Sequence, residues 1–199
     1  VRPGAEIVNP FGDLTLAAYL EADPDRKAEV YATAVRDLAA AQRALTELPH
    51  DSIVRSRAFD RSLLRWEIDH FREWALEARG RTLSPDDRAA FDAIAERLAE
   101  RVASFDRTFV HRDYQSRNIM VKTRADGSPE LVWIDFQDAL MGPRVYDLVA
   151  LLNDSYQEFD RAFVEARLDD FAREARLDDA ERRALQREFD LVTVQRTLK

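Results

Sequence analysis

Apolar side chains recur along most of this chain at intervals of three and four residues, which places them on one face of an α-helix. The stretches with this pattern carry the apolar positions Tyr31, Val35, Leu38, Ala41, Leu45 and Leu48; Leu64, Ile68, Phe71, Ala75 and Ala78; Phe91, Ile94, Leu98 and Val102; Phe159, Phe163 and Phe171; and Leu185, Phe189 and Val192. Shorter helices are predicted after Leu14 and from Asp147. The pattern therefore predicts a mainly α-helical chain.

Polar residues mark the predicted helix starts. Asp60 precedes the second stripe as an N-cap, and Gly80 ends that helix. Asp23-Pro24 places an N-cap before a Pro at the first helical position, and Ser84 has an acid three residues later. Asp178 to Glu181 caps the last helix, whereas residues 52–59 carry no periodic pattern and are predicted to be irregular.

One segment follows a different pattern and predicts a single small β hairpin. Two apolar runs, Ile119–Val121 and Leu131–Ile134, flank a polar connection that contains Asp126-Gly127. An Asp-Gly pair between apolar runs is typical of a hairpin turn. The hairpin would bring Asn118 close to Asp135, with Asp113 on the loop that leads into the first strand. Two carboxylates and one amide would then meet at one end of the ribbon, as Mg²⁺ prefers.

The spacing of these residues matches a known catalytic pattern. His111-Arg112-Asp113, followed by four residues and Asn118, fits the sequence H-R-D-x-x-x-x-N of phosphoryl-transfer catalytic loops. Asp135-Phe136 stands where that pattern has its second metal-binding Asp, although Gln137 replaces the usual Gly. In such loops the first Asp accepts the proton of the substrate hydroxyl, and the Asn and second Asp hold metal ions.

These motifs carry a family resemblance. The segments His111–Val121, Ile134–Ala139 and Gly142–Val149 resemble the aminoglycoside phosphotransferase/choline kinase family, and most closely its bacterial branch of cell-wall amino-sugar kinases. The resemblance implies a protein-kinase-like fold with ATP and Mg²⁺ as cofactors. It implies the following roles: Asp113 as catalytic base, Asn118 and Asp135 as metal ligands, Asp138 as a secondary metal or supporting ligand, and His111 and Asp147 as supports of the catalytic loop.

Three further residues are candidates for contacting the substrate: Arg117, Glu67 and Gln137. In the amino-sugar branch the region around Trp66, Glu67, His70 and Trp74 would contribute to the acceptor pocket. From the residues alone, we favour a plainer interpretation, in which the aromatic rings edge the core and Glu67 is solvated.

The sequence lacks the features that cover a nucleotide in a kinase. None of its five Gly forms the Gly-rich loop, and none of Lys27, Lys122 and Lys199 precedes the catalytic loop on a predicted strand. We therefore predict that residues 1–199 form a single domain, a fragment equivalent to the C-terminal lobe of a kinase-like fold without the N-terminal lobe. Residues 1–13 are either the remnant of the interlobe hinge or a frayed terminal segment.

Composition narrows the function classes. The chain has no Cys, so disulfides and thiolate metal sites are excluded, and its three His share no zinc-ligand spacing. A net charge of −8 argues against nucleic acid or an anionic membrane as partner. No apolar run approaches the roughly 20 residues that span a bilayer, so we expect a cytoplasmic protein. The sequence predicts no particular oligomeric state.

Three functions remain open. The first is ATP- and Mg²⁺-dependent transfer of the γ-phosphate to a small sugar-like acceptor, such as N-acetylmuramate or N-acetylglucosamine. The second is the same reaction on an aminoglycoside or another small molecule, since Gln115 stands where the amino-sugar branch often has His. The third is a non-catalytic, kinase-like interaction module. For the fragment alone, we expect folding without kinase activity.

Overall fold

The computed structural model describes residues 14–198, so the predicted hinge remnant at residues 1–13 lies outside the described residues. The helices in this range are α1 (Leu16–Ala22), α2 (Lys27–Ala44), α3 (Ile53–Ser56), α4 (Arg61–His70), α5 (Pro85–Ala103), α6 (Tyr146–Leu152), α7 (Arg161–Glu174) and α8 (Asp179–Thr197). The strands are β1 (Arg107–Val110), β2 (Ile119–Thr123), β3 (Pro129–Trp133) and β4 (Leu140–Pro143). The mainly helical prediction is confirmed, and α3 is one helical turn inside the segment predicted to be irregular.

The predicted caps at three helix starts are confirmed. Asp60 accepts a hydrogen bond from the Leu63 amide at 2.8 Å, and Ser84 accepts one from the Asp87 amide at 3.1 Å. Asp178 and Glu181 form a reciprocal capping box at α8. Asp23 makes no side-chain cap, because Pro24–Arg26 forms a 3₁₀ turn ahead of α2.

Helix α4 does not stop at His70. It continues through a π-helical segment, Phe71–Leu76, and a 3₁₀ turn, Glu77–Arg79. Gly80 then ends the run with φ of 74°, a left-handed conformation that favours glycine. The position predicted for the helix end is therefore confirmed, although the last two turns are wound differently from an α-helix.

One hydrophobic core combines buried side chains of α2, α4, α5, α6, α7 and α8. Every residue of α6 is buried, and α2 contributes Tyr31, Val35 and Leu38 with no exposed surface. On α5 the buried face is Ala95, Leu98, Ala99 and Val102. Ile94, which was predicted to be buried, is 58% exposed, because the face that packs on α4 and α8 is centred one residue later.

The predicted hairpin is confirmed as the antiparallel pair β2–β3, with Ile119 opposite Trp133 and Thr123 opposite Pro129. The prediction of only one β element is wrong, because β1 and β4 form a second antiparallel ribbon with Val110 opposite Leu140. Gly142 on β4 lies so close to the core that an added Cβ would stand 2.7 Å from the Phe59 ring. The two ribbons enclose the loops that carry the candidate site.

Helices long and apolar enough to cross a bilayer are absent from residues 14–198.

Candidate functional site

Residues 111–118 form the loop that connects β1 to β2, and Asp147 on α6 anchors its first two residues. The Asp147 carboxylate accepts hydrogen bonds from the backbone N–H groups of His111 at 2.7 Å and of Arg112 at 3.0 Å. Asp147 is fully buried. Burial raises the pKa of Asp147 to about 7, although the two backbone donors and the positive charge of Arg196 oppose the shift. The start of the loop is thereby tied to the most buried helix of the fold.

The backbone is strained on both sides of the site. Arg112 has φ of 78° and Asp135 has φ of 67°, in the left-handed region that residues with a Cβ rarely adopt. Such conformations persist only where the surroundings impose them, and they concentrate at functional sites. At Arg112 the backbone N–H also donates to the buried Asp147 carboxylate.

A second buried acid, Asp154, holds the middle of the loop. It accepts hydrogen bonds from the Ser116 amide at 2.7 Å and from the Tyr156 amide at 3.0 Å. The Tyr114 hydroxyl donates to the Ala34 carbonyl on α2 at 2.9 Å. The sequence analysis missed Asp154. An Asp that follows an apolar helix is common in ordinary turns, so its position alone does not indicate that it anchors a loop. The loop is therefore fixed at three points along its length.

Asn118 closes the loop onto Asp113. Its side-chain amide donates to the backbone carbonyl of Asp113 at 2.9 Å, which leaves the Asn118 Oδ1 atom available to another partner. The Ile134 amide donates to the Asn118 carbonyl at 3.0 Å, so that Asp135 follows directly beside it. The structure thus brings Asp113, Asn118 and Asp135 to the same end of the β2–β3 ribbon.

The turn between β3 and β4 presents polar groups to solvent. Asp135, Gln137 and Asp138 are all exposed there, and the Gln137 amide donates to Asp135 Oδ1 at 2.7 Å. Asp135 Oδ2 is not used in this bond. Gln137 therefore contacts an acid of the site, and Asp138 lies three residues after that acid.

The donor set fits Mg²⁺. The carboxylate of Asp135 and the Oδ1 atom of Asn118 are hard oxygen ligands, and Mg²⁺ is commonly bound by one or two carboxylates together with substrate phosphates and water. Within residues 14–198, no three or more His, Cys, Asp or Glu side chains are grouped as a metal cage. Such a cage suits zinc or calcium better than a magnesium ion shared with phosphates.

His111 lies in the interior. Its ring contacts those of Tyr114 and Trp133, with centroid distances of 5.8 and 6.1 Å. Burial lowers the pKa of His111, while the charge of Asp113 and the backbone of Ile134 oppose the shift. The buried imidazole packs the loop against the β2–β3 ribbon.

Glu67 is not solvated, so that interpretation was wrong. It is fully buried on α4 and forms an ion pair with Arg112 at 3.3 Å, while the Gln195 amide of α8 donates to its second oxygen at 2.9 Å. The sequence pattern missed this because Glu67 lies beside the apolar stripe of α4 and its partners are remote in the chain. Glu67 connects α4, α8 and the residue that precedes Asp113.

The neighbouring aromatic residues do not lie at the edge of the core either. Trp66 is 58% exposed and Trp74 is 67% exposed. They line a cavity of about 580 Å³ together with Glu67, His70, Phe71 and Arg79. The apolar pattern of this helix did not predict the cavity, because the π-helical segment rotates Phe71 and Trp74 relative to an ideal α-helix. We call this cavity the aromatic cleft.

Arg117, a third candidate for contacting the substrate, lies on the outside of the loop. It is exposed, and its guanidinium group stands 3.5 Å from the centroid of the Tyr156 ring. A cation–π contact of this kind holds the side chain on the outer side of the loop.

Comparison with known proteins identifies the family to which the chain belongs. The sequence model of the phosphotransferase enzyme family matches residues 10–185. An N-acetylmuramate/N-acetylglucosamine kinase of Pseudomonas putida is 34% identical over 195 residues, which cover 95% of this chain and 54% of the relative. A kinase of the same name from Neisseria meningitidis is 38% identical over 107 residues, which cover 53% of this chain and 30% of the relative. The chain thus spans about half the length of the Pseudomonas putida relative.

A solved structure shares the fold. An ethanolamine kinase of Plasmodium vivax superposes with a TM-score of 0.58 at 16% sequence identity, over 97% of this chain and 55% of that chain. At this identity the likeness shows a common fold and carries no information about the substrate.

Proposed function

Because the chain belongs to the phosphotransferase enzyme family, we propose that it carries the catalytic loop and metal ligands of a small-molecule kinase. In this proposal the γ-phosphate of ATP passes to a hydroxyl group of an amino sugar. The observation that carries it is the arrangement of Asp113, Asn118 and Asp135 at one end of the β2–β3 ribbon. All three side chains offer oxygen atoms, the ligand type that Mg²⁺ prefers.

Each residue has a separate role in the proposal. Asp113 accepts the proton of the acceptor hydroxyl as it attacks the phosphorus atom. Asn118 and Asp135 hold Mg²⁺, which when bound neutralises negative charge on the nucleotide phosphates. Gln137 orients the Asp135 carboxylate through its hydrogen bond, and Asp138 supplies a further acid beside the metal position. Catalysis then rests on positioning, because the transition state needs little covalent participation by the protein.

Asp147 and His111 act on this chemistry through the backbone of the loop. Asp147 fixes the N–H groups of His111 and Arg112, and the buried His111 ring packs behind the loop against Tyr114 and Trp133. Since a misplacement of about 1 Å can slow a reaction by about 10²-fold, loss of either support should slow the transfer.

The groups that cover the nucleotide are proposed to lie outside the catalytic loop region. Lys27 packs on the Phe159 ring at 4.5 Å and donates to the Glu158 carbonyl, and Lys122 is exposed on β2. Neither lysine is placed to hold phosphates beside Asp113. We therefore propose that residues 14–198 correspond to the C-terminal lobe of the kinase-like fold, and that a nucleotide-covering lobe completes it.

The names of the relatives support the proposed acceptor class. The Pseudomonas putida and Neisseria meningitidis proteins are named as N-acetylmuramate/N-acetylglucosamine kinases, which supports an amino-sugar acceptor for this chain.

The test is an assay of ADP formation by the full-length protein that contains these residues. MgATP is supplied with N-acetylmuramate, N-acetylglucosamine, an aminoglycoside or no acceptor. We expect turnover in the usual kinase range of roughly 1–100 s⁻¹ with an amino sugar, and its loss in Asp113→Asn. Turnover with the aminoglycoside alone would refute the acceptor class, and no turnover with any small acceptor would favour a non-catalytic interaction module.

A further inference from the structure

We propose that the aromatic cleft binds an acceptor sugar that carries a carboxylate, and that Arg79 recognises this carboxylate. The inference rests on the proposed function, because it identifies the cleft as the acceptor site of that reaction. It goes further by assigning the sugar ring to Trp66 and Trp74 and the acid group to Arg79.

The position of the cleft favours an acceptor site. Glu67 forms part of its wall and is ion-paired with Arg112, the residue directly before Asp113. Arg196, next to the cleft residue Thr197, donates to the Arg112 carbonyl at 3.2 Å. The cleft is therefore built against the segment that holds the proposed catalytic base. Its volume of about 580 Å³ lies in the range of small-molecule sites, roughly 300–1,000 Å³.

The winding of the helix gives the cleft its aromatic wall. Phe71 and Trp74 come from the π-helical segment, and such segments recur at functional sites. The side chain of Arg72 turns inward from the same segment, where it pairs with Glu77 at 2.6 Å. The rotation that buries Arg72 leaves Trp74 outward and 67% exposed.

Two exposed indole rings beside one cavity leave apolar area in contact with water, and such exposed patches often mark ligand-binding sites. Trp66 is held in place, since its ring makes an edge contact with His70 at 4.1 Å and its carbonyl is hydrogen-bonded to the His70 ring at 2.9 Å. Flat aromatic faces with polar edges suit a sugar, which has apolar C–H faces and hydroxyl groups around its rim.

The charge of the cleft selects an anion. Glu67 is neutralised by Arg112, so its negative charge is compensated. Glu77, two residues before Arg79, is engaged by Arg72 and by Arg88 at 3.4 Å. Among the ion pairs of residues 14–198, none includes Arg79. The cleft therefore presents one uncompensated guanidinium group, which attracts a carboxylate and repels a polycation such as an aminoglycoside.

The experiment compares two sugars that differ in this acid group. N-acetylmuramate has a carboxylate on a lactyl ether, and N-acetylglucosamine has a hydroxyl group there. Their binding to the full-length protein is measured by titration calorimetry without nucleotide. We expect N-acetylmuramate to bind about tenfold more tightly, and Arg79→Gln to remove this difference while affinity for N-acetylglucosamine stays within about twofold. Arg79→Lys should keep part of the preference.

Two variants make the result specific. Arg81→Gln removes an exposed arginine that does not line the cleft, and it should keep the full preference. Trp74→Ala should weaken both sugars about equally, by about tenfold. An unchanged preference in Arg79→Gln would overturn the inference, as would equal affinities of the two sugars for the unmodified protein. Turnover measured in parallel separates this failure from failure of the proposed reaction, which would leave sugar binding without ADP formation.

Discussion

The side-chain amide of Asn118 donates to the backbone carbonyl of Asp113 across 2.9 Å, and this bond ties the last residue of the loop to the residue proposed as the base. Asn118 thus has two functions in the proposed site. Its nitrogen holds the segment that carries the base, and its oxygen faces the proposed metal position. An Asp at this place could provide the oxygen but not the donor.

Asn118→Asp separates the two functions. We expect a loss of turnover of about 10²-fold, because the Asp113 carbonyl would face a carboxylate instead of a donor and the base would move. The dependence of the residual rate on Mg²⁺ concentration should remain, since an oxygen ligand is retained. Asn153→Asp at the end of α6 is the matched control, because it removes an amide that donates to Thr193 at 3.3 Å outside the site. Full activity of Asn118→Asp would show that the hydrogen bond to Asp113 has no role.

Asp147→Asn tests the support of the loop. An Asn side chain has one acceptor and one donor group, so one of the backbone N–H groups of His111 and Arg112 would lose its partner. A buried unsatisfied donor costs about 1–3 kcal/mol, and we expect a decrease of that size in the free energy of unfolding by urea. Asp169→Asn on the exposed side of α7 should change it by less than about 0.5 kcal/mol. Equal stabilities of the two variants would contradict the account.

The pH dependence of stability should reveal Asp147 itself. Its pKa is raised from 3.8 to about 7 in the folded protein. Between these values the folded state binds the proton and the unfolded state does not, so stability falls as pH rises. We expect the stability of the unmodified protein relative to Asp147→Asn to decrease between pH 4 and pH 7, by up to about 1.4 kcal/mol per pH unit. An increase over this range would mean that the two backbone donors dominate and lower the pKa.

Glu67→Gln tests the connection between the aromatic cleft and the loop. The change keeps the side-chain volume but leaves the positive charge of Arg112 without its buried partner. We expect a loss of about 1–3 kcal/mol in the free energy of unfolding, less than for a fully buried pair because Arg112 is partly exposed. The rate constant kcat should fall more than KM changes, because Arg112 adjoins Asp113. Glu47→Gln, on an exposed turn after α2, should alter neither quantity.

Local signals predicted much of the fold. The sequence predicted three helix caps, because each cap and its partner are separated by at most three residues. These caps are Asp60, Ser84 and the Asp178–Glu181 pair. The β2–β3 hairpin was readable for the same reason, since its turn contains Asp126-Gly127. These features depend on chain neighbours and leave a pattern in the sequence.

The remaining features depend on partners far apart in the chain. The β1–β4 ribbon joins Val110 to Leu140, and no turn signal connects segments so distant. The burial of Glu67 depends on Arg112 and on Gln195, which is 128 positions away. In the candidate site, the predicted hairpin indicated that Asp113, Asn118 and Asp135 would converge. The loop anchor Asp154 and the aromatic cleft could not be predicted, because both arise from the packing of α6, α8 and the π-helical segment.

The division of roles between Asp113 and Asp135 is the central claim of this account. Both side chains are carboxylates at one end of the β2–β3 ribbon, so a general electrostatic role would make them equivalent. The proposal instead gives Asp135 the metal and Asp113 the acceptor proton. The two substitutions to Asn remove the same charge at each position and keep the shape of the side chain.

The most direct test measures Mg²⁺-dependent nucleotide affinity and turnover in full-length Asp113→Asn and Asp135→Asn. We predict that both lose turnover, by about 10²-fold or more. Asp135→Asn should also bind MgATP more weakly, because a charged metal ligand is gone, while Asp113→Asn should bind it within about twofold of the unmodified protein. Equal losses of MgATP affinity in the two variants, or full turnover by Asp113→Asn, would contradict the assignment of Asp113 as the base and Asp135 as the metal ligand.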